Sequence, residues 1–501
     1  MKIPLEDKLH LVESYLRLGQ RIEAQELLIT LIKTHNKIPR KYLVEFSAKL
    51  RRSGLNEIAV KMLFPYVRRK GLNFKLATCG EREEYAASLL ALGALEEAKV
   101  LLNELKTLNS SKTYLYLGFL AMKQWDYETA KLYFHQFLQD PSHSEYESLI
   151  GLVNLKACEV FLCDSLDEMY KLNKELEELI RKTQEKNFRV LYANLIEIQS
   201  QLLIKNQKSD NSREHLEKIN DIINDPHSKE NLFIQKWSLL SQKPHLNSDK
   251  RAQSTWIQKM LDLQLKAKAV NHGETIRDID FHLAQFLPEL INKIYFGSKS
   301  NSFRQNVLKT YPHTLLPYYW HSLNVNKSPN DFQFDYLEYP DLKPGSLIHR
   351  VLISLVSDFY QVQNKYSLIF RIFSNNFFNP NTSMNQFHQA LNRTREWLQK
   401  HKIPFQILEQ NSTYFLSGNG SIKLYMSDIN WNNNDDLKIH YLMKTLKHKL
   451  SKKAFTSKDV ISLLHLSGPR KAQRLLSSAS KLGLIQSIKN GRAFYYSFTK
   501  A

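Results

Sequence analysis

The sequence predicts a mainly α chain: a solenoid of helical hairpins followed by two small α/β modules, each of three helices closed by a β-hairpin. Three observations carry this reading. A Gly/Ala pattern recurs along the first third of the chain. The order helix, helix, long helix, strand–turn–strand then occurs twice. Finally, the formal charge of +20 is concentrated near the end of the 501 residues.

The pattern is Tyr15-Gly19-Ala24-Leu28, Leu50-Gly54-Ala59-Leu63 and Leu89-Gly93-Ala98-Leu102, with Ala121-Trp125-Ala130-Phe134 as a fourth copy. The alanines lie 35, 39 and 32 residues apart, near the period of about 34 of helix–turn–helix repeats. A large residue ends one buried helical face, glycine permits the turn, and a small alanine lets the next helix approach. In YLYLGFLAMKQWDYETAKLYFHQFLQDP, residues Tyr114, Leu117, Gly118, Tyr127, Ala130, Phe134 and Pro141 fall at or within one residue of the defining positions of a tetratricopeptide repeat. Residues 1–144 therefore resemble that family, which implies stacked hairpins around a concave surface for a protein or peptide. Tyr114, Tyr116, Trp125, Tyr127 and Tyr133 are expected in the core. From 145 to 325 amphipathic runs such as TWIQKMLDLQLKAKAV continue without the Gly/Ala punctuation and are expected as degenerate helical hairpins.

Residues 326–345 lack a helical period and read as a linker or an extended arm packed on a neighbour. GSLIHRVLISLVSDFY, KYSLIFRIFSNNF and TSMNQFHQALNRTREWLQKH then suggest three helices, the third capped by Thr382 or Ser383. PFQILEQNSTYFLS follows as a hairpin with an Asn-Ser turn, which completes a winged helix-turn-helix order over 346–426. Leu391, Arg393, Arg395, Leu398, Ile407, Tyr414 and Leu416 resemble the end of an OmpR-type DNA-binding domain, with Thr413 where that family has glycine. The resemblance implies that Arg393 and Arg395 read DNA; if the long helix does so, helical spacing puts Gln386, Gln389, Asn392 and Arg393 outward. No receiver domain with an acidic pocket precedes it, so control by phosphorylation of that kind is not expected.

SDINWNNNDD, 427–436, is a polar spacer. Beyond it, 437–501 repeats the order. An amphipathic helix is expected over Leu437 to Leu450, a helix capped by Thr456, and a third helix capped by Ser467 with Pro469 in its first turn. LIQSIKNGRAFYYSF then alternates about Asn490-Gly491, the signal for a tight hairpin whose two central residues have positive φ. KAQRLLSSASKLGLIQSIKNGRAFYYSF resembles the winged-helix domains of bacterial regulators. Arg470, Lys471, Gln473 and Arg474 are expected on the exposed side of the third helix, over a buried stripe of Leu475, Leu476, Ala479 and Leu482. Lys489, Asn490 and Arg492 form the wing. A helix of this kind fits the major groove while wing cations neutralise phosphates.

Charge separates the two modules. Residues 437–501 hold fourteen Lys/Arg and one acid, Asp459, for +13; residues 343–436 come to +3 and the first 342 residues to +4. A polyanion-facing module concentrates charge in this way; a general solubility charge is spread out. No phosphate loop, His-Glu-x-x-His or Gly-x-Ser-x-Gly occurs, and no cofactor, metal site or enzymatic activity is expected. Cys79, Cys158 and Cys163 lack metal-type spacing and read as reduced thiols of a cytoplasmic protein. No run reaches the roughly 18 apolar residues of a membrane span. These features together predict a sequence-specific transcriptional regulator of double-stranded DNA, its repeats serving as sensor or homodimerisation domain. The alternatives are a scaffold subunit of the PCI type, whose winged helices hold proteins, and a regulator whose repeat groove binds a signal peptide.

Overall fold

The computed structural model describes residues 4–35, 38–68, 76–108, 110–206, 209–217, 219, 229–270, 272–298, 300–311, 319–322, 331–334, 342, 346–356, 358–360, 363–373, 379, 382–403, 405–410, 412–418, 421–424, 439, 443, 446–447, 450, 454–464, 468–490 and 493–499. The chain is mainly helical, with small sheets toward the C-terminus.

The Gly/Ala positions do in space what their spacing requires. Leu5–Leu18, Arg40–Ser53 and Cys79–Ala91 are each followed by a turn containing Gly19, Gly54 and Gly93, with φ of 81°, 92° and 80°. These left-handed values are open to glycine at no steric cost. The next helices, Arg21–Thr34, Asn56–Val67 and Leu95–Leu105, bury Ala24, Ala59 and Ala98 completely. The fourth copy keeps the backbone but not the glycine: between Ser111–Lys123 and Tyr127–Leu138, Trp125 itself has φ 59°. Close approach also explains Gly118, where an added Cβ would lie 2.5 Å from the Phe134 ring.

Each helix as far as Asn301–Thr310 packs on the next, and the first helix of one pair also packs on the first helix of the following pair over most of this region. The row curls back on itself, because Leu5–Leu18 touches Arg189–Lys205. At that closure the Arg17 guanidinium lies 4.6 Å from the Tyr146 ring and 5.7 Å from Phe188. Glu13 holds Arg17, Arg52 and Lys49 at 2.9, 2.6 and 3.4 Å. Farther along, Asn187 supplies the positive φ (54°) between Leu166–Glu185 and Arg189–Lys205, the residue that tolerates this region best after glycine. Cys158 and Cys163 are buried, and burial pushes the Cys158 thiol up to about 12.

The C-terminal third holds two bodies of the same element order. The first has helices Leu347–Val356, Lys365–Ile372 and Ser383–Lys400, then the antiparallel strands Phe405–Gln410 and Thr413–Gly418. The expected Asn-Ser connection is present, with Ser412 at φ 59°; Asn411 lies outside the described residues. The second has Ser457–Leu463, Pro469–Lys481 and the antiparallel strands Ile485–Asn490 and Ala493–Phe498. Of its expected first helix, Ile439, Met443, Leu446 and Lys447 are helical, and Leu437 and most of the remainder lie outside the described residues. In both bodies the residue just before the middle helix, or one removed from it, bridges to the second strand: Asn364 to Thr413, and Phe455 to Tyr496.

A three-stranded sheet joins Tyr319–Ser322 and Ser421–Leu424 antiparallel, with Asp331–Phe334 parallel to the latter. Asp331–Phe334 falls within the segment expected as linker or arm. Most of the rest of 326–345, and the spacer 427–436, lie outside the described residues.

Candidate nucleic-acid interface

The Pro469–Lys481 helix starts at Gly468, whose φ of 154° is one that L side chains rarely adopt. Ser467, expected as its cap, lies outside the described residues. Ala472, Leu475, Leu476 and Ala479 are buried, joined in the core by Met443, Leu446, Phe455, Val460 and Ile485. Leu482, expected in this stripe, is only half-buried, because it follows the last helical turn. Burial of that stripe turns Arg470, Lys471, Gln473 and Arg474 outward, and all four are exposed.

Two of these cations stand in the first turn of the helix, which has no acidic residue there. The positive end of a helix dipole disfavours cations by about 0.3–1 kcal/mol each. Asp459 is the one acid of 437–501. Its carboxylate accepts from the Thr456 backbone N–H at 2.7 Å and from the Thr456 hydroxyl at 2.8 Å, closing the capping box of Ser457–Leu463. Thr456 is thus the cap that the sequence predicts.

The hairpin register corrects the expected turn. Asn490 pairs with Ala493, so Asn490 belongs to the strand and the connection consists of residues 491 and 492. Gly491 and Arg492 lie outside the described residues. Tyr496 and Phe498 face the body, with ring centroids 6.0 and 5.0 Å from Phe455. Phe494, next in the same row, passes beyond the body and is exposed.

In the first body, Ser383–Lys400 buries Phe387, Ala390, Leu391, Thr394, Trp397 and Leu398. Gln386, Gln389, Asn392 and Arg393 are consequently exposed on its far side. Arg395 is placed differently. Its Nε and Nη2 donate to the Ile407 carbonyl at 3.2 and 3.0 Å, and Nη1 donates to Asn392 Oδ1 at 3.2 Å. This guanidinium ties the long helix to the hairpin. Thr382 occupies the cap position without a side-chain capping bond, and the Ser383 hydroxyl accepts the Asn379 N–H at 2.9 Å instead.

This body sits closely on the helical region, which no periodicity of the sequence announces. Val351, Leu355, Tyr366, Ile369, Phe387 and Leu391 share one hydrophobic core with Leu89, Leu102, Phe134 and their neighbours. Lys365 pairs with Glu57 at 3.1 Å and Arg371 with Glu96 at 3.0 Å. Asn364 caps its own helix through Ser367 and donates Nδ2 to the Leu92 carbonyl at 2.5 Å. Tyr360 donates its hydroxyl to Asp280 at 2.8 Å, and the Phe359 N–H donates to the Gly297 carbonyl at 2.8 Å. An added Cβ on Gly273 would meet the Tyr360 carbonyl oxygen at 1.7 Å. Two cations flanking the apolar run YSLIF were the only trace of this docking in the sequence.

Among the described residues no group of His, Cys, Asp and Glu is placed to hold a metal ion, and no helix is long and apolar enough to cross a membrane. No protein-family model matches the chain, and no curated protein matches it.

Proposed function

We propose that this chain is a DNA-binding transcriptional regulator in which 437–501 is a winged helix-turn-helix reader carried by a tetratricopeptide-like helical scaffold. The observation that supports this reading is the cationic helix start. Arg470, Lys471 and Arg474 are exposed on a module of +13, and its single carboxylate is engaged in a capping box. Local electrostatics favour acids at that position, so cations placed there point to an external partner. Gln473 and Arg474 carry the side chains that pair with base edges, while Arg470, Lys471 and the wing cations serve phosphates.

The test is binding of the full chain to selected duplex DNA between 50 and 200 mM salt. About four phosphate contacts predict a loss of roughly 10²-fold in affinity over that range. Arg474→Ala should relax preference at one base position, whereas Lys471→Ala should weaken all sequences alike. Equal affinity across the salt range would sink the reading.

A second reading has its own support. The docking of the first body into the core of the helical region resembles a scaffold subunit, in which such modules hold proteins. Discrete sites in a genomic footprint of the tagged protein favour the regulator; absence of any footprint favours the scaffold.

A further inference from the structure

The two hairpins share one register but differ at the tip. In each, the pair next to the last before the connection sets a charged residue opposite a ring: Glu409 opposite Tyr414 in the first body, Lys489 opposite Phe494 in the second. Tyr414 is 3% exposed, with its ring 5.0 Å from Phe387 on the long helix. Phe494 is 52% exposed. Strand alternation puts it in one row with Tyr496 and Phe498, whose rings lie against Phe455, but about 7 Å farther along the strand than Tyr496. The tip of the second hairpin thus projects past its own core, where the tip of the first is laid on its helix. On the opposite face of the projecting tip Ile488 and Tyr495 form a pair, 58% and 38% exposed. The tip is a blade with bulky apolar side chains on both faces.

This blade belongs to the basic segment. Residues 437–501 carry +13, whereas the segment whose tip ring is covered carries +3. Phosphates are met by cations and hydrogen-bond donors, and a phenylalanine ring is neither. What a ring binds on a nucleic acid is the π-face of a base. In a duplex those faces are covered by their neighbours, so a ring reaches one only where a base step is opened. The chain places the tip accordingly. Three residues separate Pro469–Lys481 from Ile485–Asn490, so with the helix in the major groove the hairpin stands at the groove beside it. The minor groove is about 6 Å wide, and a two-stranded ribbon with bulky side chains on both faces enters it only by prising it open.

We infer that the tip formed by Ile488, Phe494 and Tyr495 is a wedge: Phe494 enters between two stacked base pairs, beside the bases that face Gln473 and Arg474, and kinks the duplex. This rests on the DNA reading of 437–501 proposed above and adds what the hairpin selects, a base step that opens easily. Pyrimidine–purine steps unstack most readily and A-tracts resist, so a preference arises at that step without a hydrogen bond to it. Wedges of this kind bend DNA by about 20–90° toward the major groove.

The experiment uses the full chain and a selected duplex carrying a fluorescent donor and acceptor at its ends and 2-aminopurine at the step beside the read bases, at about 50 and 200 mM salt. The wild-type chain should bind with steep salt dependence, bring the duplex ends together and raise the 2-aminopurine fluorescence. It should also bind about fivefold tighter, or more, when a mismatch loosens that step. Phe494→Ala, at an exposed position and with unchanged far-UV circular dichroism, should keep the salt slope but lose the bend, the fluorescence change and the gain from the mismatch. Phe494→Trp should keep all three. Salt-dependent binding of the wild-type chain to a duplex that stays straight, or an F494A chain that bends DNA as wild type does, overturns the wedge and leaves the regulator reading standing. Absence of salt-dependent duplex binding overturns both.

Discussion

Trp125 offers the sharpest test of the helical repeat. It stands where the three earlier copies have glycine, and it keeps their left-handed backbone at φ 59°. A bulky L residue in that region carries about 1–2 kcal/mol of strain. Packing outweighs it. The indole is buried, with its centroid 4.6 Å from Phe303, 5.4 Å from Phe161 and 5.6 Å from Phe281, and the Arg277 guanidinium 5.0 Å away. Trp125→Ala removes those contacts, keeps a Cβ in the strained region, and should destabilise by about 3–5 kcal/mol. Trp125→Gly removes the same contacts but relieves the strain, so it should be about 1 kcal/mol milder than alanine. Elsewhere in a helical chain glycine is worse than alanine by about 0.5–1 kcal/mol; the inverted order is the signature. Urea unfolding followed by circular dichroism, with hydrogen exchange of residues 111–138 as the local readout, measures both variants. If glycine is the more damaging, the fourth copy does not share the backbone of the first three.

Three further outcomes are expected. Ala130 is fully buried between helices, so Ala130→Leu should overpack the fourth pair and cost about 1–3 kcal/mol, read as a lower urea midpoint. Burial opposes ionisation of Glu13, but Arg52 and Lys49 overcome it and hold the carboxyl at about 2 against an ordinary 4.5. Its contribution is therefore complete above pH of about 4.5 and is lost as pH falls toward 2, and the stability gap between wild type and Glu13→Gln should close over that window in acid titrations of the urea midpoint. Lys365→Glu should loosen the first body from the helical region, and adding Glu57→Lys should restore about 0.5–1 kcal/mol in a double-mutant cycle read by hydrogen exchange of 365–372.

Local chemistry was legible and long-range docking was not. Gly19, Gly54 and Gly93 announced their turns because only glycine enters the left-handed region freely, and Ala24, Ala59 and Ala98 announced close helix approach because a small side chain is a steric statement. Trp125 followed the spacing while breaking the chemistry. Beyond residue 145 the same job passes to Asn187, which carries no such distinctive period. Thr456 was readable as a cap because an N-cap acts only on the first turn beside it; the reach of Asp459 back to it was not read. The Asn490 turn was misplaced by one residue, since Asn-Gly and Gly-Arg both satisfy a tight connection and only the cross-strand pairing of Ile485 with Phe498 decides between them. Lys365 with Glu57 and Arg371 with Glu96 join residues some 300 positions apart in the chain, beyond any periodicity.

That docking changes what the likeness of the two bodies means. Helix order, hairpin register and the bridge to the second strand are shared, yet the middle helix Lys365–Ile372 is covered by the helical region, through apolar contacts and the pairs to Glu57 and Glu96. The second body closes a core of its own around Phe455, Leu476 and Ile485. Charge follows the same division: a body whose cations meet Glu57 and Glu96 needs no external polyanion to neutralise them, and its segment carries only +3. The body whose single acid, Asp459, takes part in a cap carries +13. One of the two bodies is thus part of the frame, while the other closes a separate core. The exposed Gln386, Gln389, Asn392 and Arg393 keep the long helix of the first copy available for contacts, on a body whose position the helical region sets.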